Sequence, residues 1–216
     1  MGGTGDLGTA LAIHLAKHYE RVFLGSRDKS KAEAVLHEIL AEKGNRDYLR
    51  AHITPGENSE VVKSCDLVIA AVPHTNALQT ISQLHDIFRG EQILVSAVAP
   101  IAKSGNEFVP DIADLSVSEQ ISKIVPKSVR VATAFQTVPA NILYKEKTIS
   151  SDVLIACDDY ETYGSVSEMV SKIEGLRPLY LGSLKLSKYV ESLTSLLLNV
   201  SIRNKLKSPT IKVTSF

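Results

Sequence analysis

Two cysteines are all that the 216 residues contain. Cys65 and Cys157 form no C-x-x-C pair and both border apolar runs, so buried free thiols are expected rather than redox or metal chemistry. Charge of one sign is also lacking: 24 Lys and Arg stand against 24 Asp and Glu, a formal net charge of +0. No basic excess points to nucleic acid, and no basic tract points to a membrane surface. No apolar run reaches the roughly eighteen residues of a bilayer-crossing helix. A charged-then-apolar leader is absent, from which a cytoplasmic location is expected. Repeats and low-complexity segments are absent too. What is present is apolar material, 44% of the residues, enough for a substantial core and against disorder. The length allows one large α/β domain or a domain with a small annex.

The chain is organised around its opening, Met1-Gly2-Gly3-Thr4-Gly5-Asp6-Leu7-Gly8. Gly3, Gly5 and Gly8 have the G-x-G-x-x-G spacing of a dinucleotide-binding turn: a tight turn, a close approach of pyrophosphate to backbone, and close packing of helix on strand. Leu7, Leu11 and Leu15 recur at helical spacing behind it. The start of that helix offers N–H groups and partial positive charge to an anion. An apolar strand, Arg21 to Leu24, then ends in Gly25-Ser26-Arg27, about twenty residues past the glycines, where an NAD enzyme places Asp or Glu on the ribose hydroxyls. A hydroxyl, a guanidinium and then Lys29 and Lys31 stand there instead. A carboxylate would repel a 2′-phosphate, whereas Ser26 and Arg27 would bind one. A charge-assisted hydrogen bond of about 1.5–3 kcal/mol favours NADP over NAD by one or two decades. The glycine loop should follow a buried strand of about five or six apolar residues, central in the sheet. Only Met1 precedes Gly2, so the native product is expected to carry a short apolar strand upstream of Met1. Intact mass from its own cells tests this.

Further along, Lys29 to Lys43 reads as a helix ended by Gly44 and Asn45, Tyr48 to Ile53 as a strand, and Thr54-Pro55-Gly56 as a turn. Ser59 caps a short helix to Ser64. Leu67 to Val72 and Ile93 to Val98 are continuous apolar runs, the mark of parallel strands buried on both faces. Between them a helix from Ala77 to Phe88 is capped by Asn76. Ala102 to Asp114 reads as a loop. A helix over Ser116 to Ile124 follows, then strands over Val129 to Phe135, Asp152 to Cys157 and Leu176 to Leu181, with a helix over Glu161 to Ile173. A last helix carries Leu186, Val190, Leu193, Leu197 and Val200 as core or subunit interface, which admits a homodimer, and the tail from Lys207 reads as polar and loosely ordered. Alternating strands and helices predict an α/β fold, a Rossmann-type doubly wound and mostly parallel sheet. A small C-terminal helical lobe completes it: one unit over 1–216, with a core of about 1–130 and the lobe from about 131. Ligands bind at the carboxyl ends of such strands, here Gly3-Thr4-Gly5, Gly25-Ser26-Arg27, Val72-Pro73-His74 and Val98-Ala99-Pro100. His14 and His18 are four apart, but Leu15 stands where a zinc protease motif has Glu, and helix surface is the reading taken; no metal is expected.

These residues, with Thr137-Val138-Pro139-Ala140, Gly175-Leu176-Arg177-Pro178-Leu179 and Val190-Glu191-Ser192-Leu193-Thr194, resemble the coenzyme F-420 (F420)-dependent NADP oxidoreductases. Order and spacing hold from Gly2 to about Leu198, and the late segments are the specific part. The resemblance implies hydride transfer between NADPH and a 5-deazaflavin co-substrate, F420. It implies that Gly3, Thr4, Gly5, Asp6 and Leu7 wrap the pyrophosphate and that Ser26, Arg27 and Lys31 hold the 2′-phosphate. Val72, His74, Leu78 and Val98 would line the cleft from adenine to nicotinamide, with Ala140 beside the nicotinamide. Gln136, Thr137, Pro139, Glu191 and Ser192 would face the deazaflavin. Family members often carry His where Gln136 stands; Gln136 donates a hydrogen bond but carries no charge. No catalytic side chain is expected, because two cofactors exchanging a hydride carry the chemistry themselves. The residues alone also admit another NADP-dependent reductase, acting on an imine or a metal-bound acceptor, and a non-catalytic NADP-sensing module.

Overall fold

Helix and strand alternate as the apolar runs require, in a computed structural model that describes residues 1–42, 46–145 and 149–215. Helix α1 (Asp6–Leu15) leaves the glycine loop and leads to β1 (Val22–Ser26). Then come α2 (Lys29–Glu42), α3 (Arg46–His52), β2 (Ile53–Glu57), α4 (Asn58–Ser64) and β3 (Leu67–Ala70). The middle of the chain runs α5 (His74–Ser82), β4 (Ile93–Ser96), the hairpin β5 (Ile101–Ser104) and β6 (Glu107–Pro110), α6 (Val117–Ile124) and β7 (Arg130–Thr133). Last are α7 (Ala140–Tyr144), β8 (Ser151–Cys157), α8 (Tyr160–Ser171), β9 (Leu176–Gly182) and α9 (Ser187–Asn204).

The strands form a parallel pair, β1 with β2, and a five-stranded sheet in the order β3-β4-β7-β8-β9. Within the larger sheet only β7 and β8 run antiparallel. All four residues of β4 are buried, as a central strand covered on both faces should be. One face packs Leu11 and Leu15 of α1 with Val166, Met169 and Val170 of α8. The other packs Val62, Ala77, Ile81 and Ile121 from α4, α5 and α6. This is the doubly wound, mostly parallel α/β sheet expected, with α9 at its C-terminal end.

Several boundaries differ from expectation. Tyr48 to His52 is helical, with Arg50 and His52 in its last turn, and the strand begins at Ile53. The supposed turn Thr54-Pro55-Gly56 lies inside β2, whose outer side is a sheet edge where Pro removes no ladder bond. Helix α5 starts at His74 behind Pro73, not behind Asn76, and stops at Ser82 before a short 3₁₀ turn at His85–Ile87. The 102–114 stretch folds as a hairpin turning at Gly105, whose φ is +58°. Glu57, not Ser59, opens α4, in a reciprocal capping box with Glu60. Gly44 and Asn45, named as the end of the second helix, lie outside the described residues. The tail is bonded rather than loose: Asp152 N donates to Ile211 O at 2.8 Å, and Arg177 Nη2 donates to Val213 O at 2.6 Å.

Candidate functional site

The loop that opens the chain is shaped by contacts no side chain would permit. Gly2 has φ +65°, and a Cβ there would sit 2.6 Å from Ala71 O. A Cβ on Gly8 would lie 2.6 Å from Gly3 Cα and 2.7 Å from Gly2 O, so the first turn of α1 packs directly on the strand end. Gly3 N donates to Gly25 O at 2.8 Å, Gly5 N to Gly2 O at 3.2 Å, and Thr9 Oγ1 to Gly3 O at 2.9 Å. No side chain caps Gly5, and the first intrahelical bond runs from Thr9 N to Gly5 O. The N–H groups of Asp6, Leu7 and Gly8 therefore head the positive end of the helix with no acceptor inside it. Thr4 and Asp6 are half-buried and exposed, respectively, on the outer side of this turn. That is the geometry of a diphosphate cradle.

The end of β1 lies beside it through the Gly3–Gly25 bond. Ser26 is 5% exposed, and its hydroxyl accepts from Asp28 N at 3.4 Å. Arg27, Lys29 and Lys31 are exposed. Asp28 is a carboxylate that sequence reasoning passed over. Its Oδ1 accepts from Ser30 N at 2.9 Å and Ser30 Oγ at 2.8 Å, and these bonds hold its carboxyl below the usual range. The carboxylate is thus engaged with the start of α2, while the three cations are exposed. Asn58, also missed, is 5% exposed beside Gly25, with no partner for its Oδ1. A lone Asn after a short strand carries no signal in sequence.

Further along the rim, Val72 and Leu78 are half-buried and Val98 is 1% exposed. His74 Nε2 lies 3.1 Å from Asp111 Oδ2, tying the start of α5 to the residue after β6. Beyond β7, Phe135 takes φ +77° while 1% exposed, a conformation unusual for an aromatic and of the kind that clusters at functional turns. Gln136 follows. Its Nε2 donates to Ser96 O at 2.8 Å, and its Oε1 is buried without a partner. The amide thus braces the ends of β4 and β7 and turns away from open solvent. Ser96 Oγ is also buried and unpartnered there. Two later residues clamp the same loop: Thr194 Oγ1 donates to Gln136 O at 2.8 Å, and Thr210 Oγ1 donates to Thr137 O at 3.1 Å. Thr137 is 4% exposed; Pro139 and Ala140 are half-buried and begin α7.

Glu191 does not meet the expectation of a ligand contact. Its side chain is 0% exposed and accepts from Val117 N at 2.8 Å, Ser118 N at 2.9 Å and Ser118 Oγ at 2.7 Å. It caps α6 from within the core. Burial pushes its carboxyl up, and the bonds from Ser118 and Val117 pull the other way. Ser192 bonds its own helix, Oγ to Lys188 O at 2.6 Å. His14 Nε2 lies 2.9 Å from Leu143 O, joining α1 to α7, and no cluster of three metal-binding side chains occurs among the described residues. No helix among them is long and apolar enough to cross a membrane.

A family model described as NADP oxidoreductase, coenzyme F420-dependent, matches residues 1–100. The chain is 33% identical to the F420-dependent NADP reductase of Methanocaldococcus jannaschii, covering 100% of this chain and 96% of that relative. It is 31% identical to the enzyme of that name from Methanothermobacter marburgensis, with the same coverage. Among solved structures, a putative F420-dependent NADP reductase from Arthrobacter sp. FB24 superposes with a TM-score of 0.79 over 98% of this chain and 96% of the other. Its 16% identity makes it a likeness of fold.

Proposed function

The chain belongs to the F420-dependent NADP reductase family, and from that premise we propose that it passes a hydride between NADPH and coenzyme F420 across the cleft at the strand ends. The nicotinamide and the deazaflavin supply donor and acceptor carbons when bound, and the protein supplies position and a dry cleft. The N–H groups heading α1 bind the diphosphate. Ser26, Arg27 and Lys31 hold the 2′-phosphate. Val72, Leu78 and Val98 exclude water along the cleft. The loop 136–140, clamped by Thr194 and Thr210, sets the distance of closest approach. No side chain moves a proton in this reading. Residues 1–130 form the nucleotide part of one unit and 131–216 its lobe. The exposed Tyr189, Leu196 and Val200, which share one face of α9, support a homodimer through that helix.

The observation that carries the reading is the end of β1. Where a carboxylate would select NAD, a buried hydroxyl and exposed cations stand, and the nearby Asp28 is bound to Ser30. Mixing NADPH with oxidised F420 and following the deazaflavin absorbance should show bleaching that depends on the protein. Arg27→Ala should raise the KM for NADPH at least about tenfold, from a charge-assisted bond of about 1.5–3 kcal/mol, and leave NADH unchanged. Equal losses with both nucleotides would put the 2′-phosphate elsewhere.

A further inference from the structure

The hairpin β5–β6 grows out of the rim of the cleft and folds back onto it. It starts just after Val98-Ala99-Pro100, beyond the carboxyl end of β4, and its base is closed by Asp111 N donating to Pro100 O at 3.0 Å. The carboxylate of the same Asp111 meets His74, where α5 begins beyond β3. The hairpin therefore stands at the crevice beyond β3 and β4, where an open parallel sheet takes its ligand. Its own residues do little to hold it there: 103–107 are exposed, and two strands alone are marginal in water. Asn199 of α9 supplies the hold. Its Nδ2 donates to Phe108 O at 2.6 Å, and Phe108 N donates to its Oδ1 at 3.0 Å. One carboxamide thus pairs β6 as a third strand would. Nδ2 also donates to Ser195 O at 3.0 Å, one turn back, which fixes the plane of the amide. Arg203, one turn further on, pairs with Glu107, but both side chains are more than half exposed and such a pair adds little.

The geometry points to Asn199 as a positioning residue for hydride transfer, holding the hairpin against the NADPH side of the cleft and acting through it rather than on either cofactor. This rests on the reading that NADPH lies along Val72, His74 and Val98. Thr194, about 8 Å earlier on the same helix at 1.5 Å per residue, holds the 136–140 loop through Gln136 O. One helix therefore carries both walls, and the spacing of hydride donor and acceptor follows from two side chains on it. An error of about 1 Å in such spacing costs about a hundredfold in rate. An apolar side chain in place of Asn199 would leave Phe108 N and O without these partners and free the hairpin at its middle.

The test compares Asn199→Leu and Asn199→Gln with the parent chain. In Asn199→Leu, amide exchange at Phe108 and Asp111 should quicken at least about tenfold. The dissociation constant for NADPH, read by nicotinamide fluorescence, should rise about fivefold, the worth of one net hydrogen bond. Turnover should fall about tenfold in kcat, with the KM for F420 within about twofold of the parent. Gln keeps the carboxamide and should bring kcat back to within about threefold. In the parent chain, NADPH alone should slow exchange at Phe108 and Asp111. Faster exchange with NADPH affinity and turnover unchanged would overturn the proposal, because the hairpin would then move without disturbing the cofactors. Slower turnover with exchange unchanged, equal losses in the Leu and Gln variants, or no protection of the parent by NADPH would overturn it as well. Absence of F420 reduction in the parent would instead sink the reading of the reaction, while exchange and NADPH affinity would still decide the role of Asn199.

Discussion

The two ends of the sheet are held together by opposite means. At the C-terminal end, buried charge is matched group by group. Asp152 takes a two-pronged grip from Arg177, Nε at 2.8 Å and Nη2 at 2.7 Å, which holds its carboxyl below the usual range. Val213 N adds a third bond at 2.6 Å. Glu191 likewise has three donors. At the N-terminal end, Met1 to Gly3 join β3 to β1 through the main chain, Met1 N donating to Ile69 O and Gly3 N to Gly25 O, each at 2.8 Å. Polar side chains specify the lobe, whereas the nucleotide half relies on glycine geometry and main-chain bonds. The cofactor loop therefore takes its shape from close glycine contacts rather than from side-chain pairs.

The sharpest way to break this contrast is at Glu191. Leucine there fits the volume but leaves the Val117 and Ser118 N–H groups buried without acceptors, at about 1–3 kcal/mol each. Glu191→Leu should cost about 3 kcal/mol in urea unfolding at pH 7, with NADPH affinity of the folded fraction unchanged. If affinity fell and stability did not, Glu191 would act at the cofactor and the lobe would lose its best internal brace.

How much of this was legible follows the same division. The glycine loop, the Ser26–Arg27 end of β1 and the β3 and β4 runs could be read directly, because local spacing and burial pattern dictate them. The roles of Glu191, Thr194 and Thr210 could not, since each depends on a partner 58 to 74 positions away. Tyr48 to His52 was misread because β-prone Tyr and Ile outweighed the helix-favouring Leu49, Arg50 and Ala51. The hairpin at 101–110 was missed because Lys103, Ser104 and Glu107 are exposed and show no apolar alternation.

The smallest expected effect lies where the two regions meet, at Gln136. Its Nε2 joins the ends of β4 and β7 through Ser96 O, a bond that Leu would remove while Ala134 N still donates to the same oxygen at 3.1 Å. Leu would also remove the buried Oε1 that has no partner of its own, which offsets part of that loss. Gln136→Leu should therefore cost only about 1 kcal/mol in stability, with kcat for F420 reduction within about twofold of the parent. The loop would still be held from behind by the Thr194 bond to Gln136 O, which needs only the main chain. A collapse of turnover with stability unchanged would reverse the assignment. The amide would then turn outward to the deazaflavin during catalysis, and the brace between the strand ends would be a resting arrangement of the loop.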